Sequence, residues 1–234
     1  MPMAYIIPII GAGGKTTALG CLAQALADRR VLLTTTTHIY PIAPPWSHAL
    51  LIDPDEQVLS QALASPGIVC AGTSTADGKL GALAPDLFQL AAQQAEIILC
   101  EADGAHGLPL KLHRPDEPVV PSGSALCLIV AGLSAWGRPV CESVHRYGRN
   151  PSWARSPRQL VNADEILYCV RETAASCRLP REQLRVWLNQ ADTLALRAYA
   201  APLAHRLIAE GLDCRAGSLR RTPQSLTRWC LSGL

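Results

Sequence analysis

Residues 9–17 read Ile9-Ile10-Gly11-Ala12-Gly13-Gly14-Lys15-Thr16-Thr17, and this stretch decides the fold. An apolar run from Ala4 to Ile10 stops at a glycine cluster, a Lys-Thr pair follows, and a helical pattern begins at once. That is how a phosphate-binding loop is built. Glycines let backbone N–H groups point at phosphate oxygens without a Cβ in the way. The helix that follows offers unpaired N–H groups and the positive end of its dipole to the same anion. Gly11, Ala12, Gly13, Gly14, Lys15, Thr16 and Thr17 are therefore the candidate nucleotide-binding residues. Lys15 can bridge the β- and γ-phosphates and neutralise charge in the reaction, and the Thr16 hydroxyl can hold Mg²⁺. The strict pattern has a glycine five residues before Gly14. This chain has Ile9 there, so the loop is a variant.

Working outward, strands and helices alternate. Ala4–Ile10 reads as a buried strand, and Lys15–Asp28 as a helix with Leu19, Leu22, Ala23 and Leu26 at helical spacing. A second buried strand, Val31–Leu33, follows, and β-α-β order implies a parallel sheet with a right-handed crossover. Pro41, Pro44 and Pro45 then break regular structure. Residues from about 50 to 83 read as a small β insertion, with short strands at Leu50–Ile52 and Ile68–Ala71 and a hairpin turn at Ala76-Asp77-Gly78-Lys79. A helix at Asp86–Gln94 leads to the strand Glu96–Cys100, and Leu126–Ala131 is another buried strand. Trp136–Pro157 reads as irregular, a flexible lid or connector. Helical patterns are expected around Pro157–Asn162 and Pro180–Gln183, then a strand at Leu184–Leu188, a long helix at Thr193–Glu210 ending at Gly211, a strand at Cys214–Leu219 and a last helix at Pro223–Leu231. The expected fold is α/β. It is one doubly wound, mostly parallel, three-layer domain of the P-loop nucleoside triphosphatase type, covering residues 1–234, with its site at the carboxyl ends of the strands.

Four further constellations carry chemistry. Ile97-Ile98-Leu99-Cys100-Glu101-Ala102-Asp103-Gly104 puts carboxylates at the end of a buried strand, where phosphate-loop enzymes place a partner for Mg²⁺. Glu101 is the candidate metal-side carboxylate. Asp103, or a switch threonine such as Thr36 in the run Thr34–Thr37, is the candidate for positioning water. His38 closes that run as a candidate base or second-ligand contact. Asn189-Gln190-Ala191-Asp192 resembles the Asn-Lys-x-Asp guanine-reading element of GTPases, with Gln190 in place of lysine. Asn189 and Asp192 are thus candidate base-site residues. The bland alternative is that Asp192 caps the helix that begins beside it. Between Gly107 and Pro121, four prolines stiffen a loop carrying Lys111, His113 and Arg114. A rigid cationic loop suits phosphates or an anionic second ligand, and a proline-framed structural connector is the competing reading.

Composition excludes several classes. A hydrophobic fraction of 49% and a charged fraction of 17% exclude a disordered chain. A net charge of +2 gives no argument for nucleic acid, and no apolar stretch approaches a membrane span. The nine cysteines form no C-x-x-C pair and several lie in apolar runs, which fits buried thiols in a reducing compartment. Met1-Pro2-Met3 lacks the basic start of a secretory signal, so the expected location is cytoplasmic.

Taken together, the motifs resemble a family. Gly-Ala-Gly-Gly-Lys-Thr-Thr at 11–17, the threonine run at 34–37, Glu-Ala-Asp-Gly-Ala at 101–105, Leu-Pro-Leu-Lys at 108–111 and Glu-Pro-Val-Val-Pro at 117–121 occur in order. With Val144-His145-Arg146 and Leu188-Asn189-Gln190-Ala191-Asp192, they are similar to the YqeC family. The resemblance spans nearly the whole chain and is most specific at 101–121. It implies a nucleotide-binding accessory protein of selenium-dependent molybdenum hydroxylases, acting on the enzyme or its pterin cofactor. The expected ligands are Mg²⁺ and GTP or ATP. A regulatory module that binds nucleotide with little turnover, and an ATP-dependent ligase or kinase with a Mur-ligase-like loop, remain the alternatives. Partner-stimulated hydrolysis separates the first of these from a working NTPase.

Overall fold

The apolar run before the glycines forms strand β1 (Tyr5–Gly11), buried along nearly its whole length as befits a parallel strand covered on both faces. The computed structural model describes residues 3–42 and 46–232. Met1-Pro2, and Pro44 and Pro45 with their expected break, lie outside the described residues. The chain divides into two compact units, one made of Met1–Ile9, Leu19–Gly104 and Val119–Leu126, the other of Ile10–Ala18, Ala105–Pro118 and Cys127–Leu234.

After β1 come α1 (Lys15–Ala25), β2 (Arg30–Thr35), β3 (Ala49–Ile52), α2 (Glu56–Ala62), β4 (Gly67–Ser74), β5 (Leu80–Gly81), α3 (Pro85–Gln94) and β6 (Ile97–Glu101). In the first unit the parallel strands lie in the order β1-β6-β2-β4-β3. β6 is paired on both sides, Ile9 with Glu101 and Thr35 with Glu101, so the acidic strand end sits beside the threonine run. One face is sealed by α2 and α3. Leu59, Leu63, Ala91 and Ala92 from these helices pack against Ile6, Leu32, Val69 and Ile98 from the strands. Burial of such aliphatic side chains contributes roughly 1.5–3 kcal/mol each. The 50–83 stretch differs from the β insertion expected of it. β3 and β4 join the parallel sheet with α2 between them, its N-terminus capped by Asp55, and only β5 turns back antiparallel across the expected hairpin turn. A helix of seven residues was too short to show a clear period in the sequence.

The second unit continues with β7 (Leu110–Lys111), β8 (Cys127–Gly132), α4 (Val140–Ser143), β9 (Val144–His145), α5 (Pro151–Arg155), α6 (Ala163–Ser176), β10 (Leu184–Asn189), α7 (Leu194–Ala209), β11 (Asp213–Ala216) and α8 (Pro223–Cys230). β8, β10 and β11 are parallel, and β10 aligns Asn189 with Gly132 at the carboxyl end. Both units are therefore mostly parallel α/β sheets with helical crossovers, the expected fold class. Two local expectations differ. The helix expected at Pro157–Asn162 is absent, and α6 starts at Ala163, where the Asn162 side chain and Glu165 form a reciprocal capping box. Trp136–Pro157 is not an irregular lid. It folds into α4, β9 and α5, the last capped by Asn150 and anchored by the buried Trp153. Pro139 and Pro151, whose breaks suggested irregular chain, stand at the N-cap of α4 and the first turn of α5.

The nine cysteines are free thiols, seven of them buried. Burial pushes the thiols of Cys100 and Cys214 up to about 12, far from nucleophilic range. No helix among the described residues is long and apolar enough to cross a membrane.

Candidate functional site

The glycine loop lies in the second unit, and its glycines are required by space as well as by conformation. Gly11 has φ +92°, and a Cβ there would stand 2.2 Å from the Val130 carbonyl oxygen. Gly14 has φ +126°, and a Cβ would stand 2.3 Å from the Asn189 amide nitrogen. The Ala12 N–H donates to the Val130 carbonyl at 2.8 Å, which pins the loop to the end of β8. Lys15 opens α1 with its side chain folded back, Nζ donating to the Gly11 carbonyl at 2.9 Å. It is only 5% exposed, so its charge is held over the loop rather than in solvent. Thr16 and Thr17 are exposed on the first turn of α1.

Asn189 fastens this loop to the chain after β11. Its Nδ2 donates to the Gly13 carbonyl at 2.8 Å, and its Oδ1 accepts from the Leu219 N–H at 3.0 Å. Both arms of the amide are used within the protein, so Asn189 acts as a positioning residue for loop and turn. Gln190 adopts φ +63°, and its side-chain Oε1 accepts from the Ser134 hydroxyl. That side chain is turned back toward Gly132, where a Cβ would meet it at 2.3 Å. Asp192 is half-buried, and one carboxylate oxygen accepts from the Ser218 hydroxyl. The Arg221 guanidinium donates to the Asp192 carbonyl at 2.9 Å, and the Arg221 N–H donates to Ser218 Oγ. Asp192 does not cap α7. Thr193 does, its hydroxyl accepting from the Leu196 N–H. The second carboxylate oxygen of Asp192 makes no hydrogen bond among the described residues.

The proline-framed loop is a buried ionic knot. β7 pairs with β9 and sets Lys111 beside His145. Glu117, 8% exposed, accepts from Lys111 Nζ at 3.3 Å, from Arg114 at 3.0 Å and from both terminal nitrogens of Arg146, a bidentate pair. Burial pushes the Glu117 carboxyl up. The Arg146 hydrogen bonds and the charges of Lys111 and Arg146 outweigh it and hold the pKa at about 2. His113 is buried, its ring nitrogen 3.1 Å from Glu172, which also accepts from the His113 N–H. Of the three cationic second-ligand candidates, Lys111 and His113 are thus interior residues and Arg114 alone is half in solvent, 53% exposed and near Asp116. His145 stacks on His106 with centroids 4.6 Å apart. Burial, then the charges of Arg146 and His106, lower the His145 pKa to about 4 and keep the ring neutral near pH 7.

In the first unit, Glu101 and Asp103 are buried at the end of β6. The Thr35 hydroxyl donates to the Glu101 carbonyl at 2.7 Å, and the Thr36 N–H donates to the same oxygen. The Thr36 hydroxyl donates to the Val119 carbonyl at 2.7 Å, tying down the segment after the prolines. His38 is exposed beside the β5 strand.

The sequence reading missed Glu117, Arg146, Glu172 and Ser218. A glutamate inside a loop with three cations was a visible signal for Glu117. Glu172 and Ser218 lie far along the chain from their partners, and no spacing rule reaches them.

The sequence pattern of the YqeC protein family matches residues 7–148, more than half of the chain. A relative from Escherichia coli (strain K12), the "Uncharacterized protein YqeC", is 33% identical over 190 residues, covering 78% of this chain and 74% of its own. Loop, acidic strand end, proline-framed knot and the Val144-His145-Arg146 segment all fall inside the matched residues, and the chain belongs to the YqeC family.

Proposed function

We propose that this protein binds a purine nucleoside triphosphate with Mg²⁺ and hydrolyses it, and that it assists maturation of a selenium-dependent molybdenum hydroxylase or its pterin cofactor. The observation that carries the nucleotide part is the loop itself. Glycines with positive φ packed too tightly for any Cβ, a buried lysine folded over them and a helix starting at that lysine have the form of a phosphate-binding loop. Lys15 neutralises phosphate charge, and loop N–H groups hold phosphate oxygens in fixed positions. Thr16 offers an exposed hydroxyl, the kind of oxygen donor Mg²⁺ takes. Bound Mg²⁺ would draw charge from the β- and γ-phosphate oxygens. The accessory role rests on the sequence resemblance.

For Glu101 and Asp103 the proposed roles are the ones expected from the sequence, metal-side carboxylate and water-orienting carboxylate. Glu101→Gln is expected to weaken Mg²⁺-dependent nucleotide binding far more than Mg²⁺-free binding, because an amide lacks the charge a hard cation takes from a carboxylate. Equal losses in titrations with and without Mg²⁺ would make Glu101 a structural end to β6.

Asp192 is proposed to read the base through its remaining carboxylate oxygen. A carboxylate accepts from guanine N1–H and N2–H, and adenine offers no matching donor pair. GTP is therefore expected to bind more tightly than ATP. Asp192→Asn is expected to lower GTP affinity and raise affinity for xanthosine triphosphate. A missing partner in a buried pairing costs about 1–3 kcal/mol, roughly 5- to 150-fold in a titration. Equal GTP and ATP binding, unchanged by the substitution, would assign Asp192 to holding Ser218.

A further inference from the structure

A cleft of about 550 Å³ opens in the second unit between α7 and the 213–222 segment. One face of α7 lines it with Arg197, Ala201, Ala204, His205 and Ile208, positions spaced four, seven, eight and eleven apart, so they share one stripe of the helix. Opposite stand Cys214 and Ala216 on β11 and Arg221 in the turn that follows. Two arginines, Arg197 and Arg221, and the His205 imidazole therefore line one space. Among the described residues no carboxylate lines it, and neither Arg197 nor His205 forms an ion pair there. Arg215 alternates with Cys214 and Ala216 and turns to the other face of β11, its guanidinium 5.7 Å over the Trp229 ring to which Asp213 is also bound, so it takes no part in the cleft. Arg221 spends one nitrogen on the Asp192 carbonyl. Between the cations the wall is aliphatic, made of Ala200, Ala204 and Ala216.

We propose that this cleft is a second binding site, for a small phosphate ester. Its phosphate would meet Arg197 and Arg221, and its apolar body would lie on the alanine wall. Guanidinium forks match phosphate oxygens in pairs, and two of them lining one space favour a dianion. The volume falls within the range of small-ligand clefts, about 300–1,000 Å³. Ser218 and Arg221 also hold Asp192, so the cleft adjoins the proposed base site, and Lys15→Ala, which removes the charge of the phosphate loop alone, distinguishes the two readings.

The probe is 1-naphthyl phosphate, titrated calorimetrically into the full chain, with 1-naphthol as the uncharged control. Wild type and Lys15→Ala are expected to bind it saturably with the same affinity. Arg197→Ala is expected to weaken binding at least tenfold, and Ala201→Trp, which fills the cleft from an exposed helix position, to abolish it. 1-Naphthol is expected not to bind. No saturable binding by wild type would overturn the proposal, as would binding that survives both α7 substitutions. Loss of binding in Lys15→Ala would place the probe on the phosphate loop and overturn it equally. So would equal binding of 1-naphthol, which would make the cleft merely apolar.

Discussion

Lys15→Ala is expected to lower affinity for nucleoside triphosphate by at least about 100-fold while leaving the protein folded. A charge-assisted hydrogen bond to phosphate is worth roughly 1.5–3 kcal/mol, and the lysine neutralises more than one oxygen. Alanine is a better helix former than lysine, so the first turn of α1 is expected to survive. The check is a nucleotide titration beside a thermal melt. A folded variant with unchanged affinity would remove the loop from the nucleotide reading. Should Lys15→Ala melt early, Thr16→Ala supplies the same test through Mg²⁺, because Thr16 is exposed and its hydroxyl can be removed without opening the core.

The largest stability effect is expected at Glu117. Its carboxylate holds Lys111, Arg114 and Arg146, with Lys111 only 1% exposed. Glu117→Gln leaves those cations without their counter-charge, and breaking a buried ion pair from one side costs about 3–5 kcal/mol. The lower end is expected, since Arg114 and Arg146 retain access to water. Urea denaturation at pH 7 measures this directly. The pH dependence has a defined sign. The folded pKa of about 2 lies below the ordinary carboxyl value, so this contribution is complete above about pH 4.5 and is lost as pH falls toward 2. Glu117→Gln should therefore flatten the acid limb of the stability curve. An equal acid slope in both proteins would mean that other carboxylates set it. A loss under about 1 kcal/mol would show the knot to be solvated.

Lys111, His113 and Arg114 read as a basic loop ready for an anion. The fold instead turns the first two inward, onto Glu117 and Glu172. The prolines that frame the loop stiffen the segment that brings Glu117 within reach of its cations. Similarly, Asn189 looked like a base contact, yet both ends of its amide are bound to backbone. These polar side chains hold the candidate site in shape.

What the sequence determined by itself is local. The apolar run before Gly11, the Lys-Thr pair and the helical spacing of Leu19 and Leu22 require only neighbours in the chain, and β1, the loop and α1 follow from them. Strand periods fixed β2, β6, β8 and β10 in the same way, and with them the parallel α/β class. The capping box at Asn162 and Glu165 went unread, and the helix expected at Pro157–Asn162 begins instead at Ala163. Tertiary structure alone decided the rest. That Asn189 should clasp Gly13 and Leu219, and that Arg197 should line a cleft with Arg221, depend on parallel register and crossover helices. Register brings together residues tens of positions apart, and its energy lies in buried contacts that no window along the chain contains.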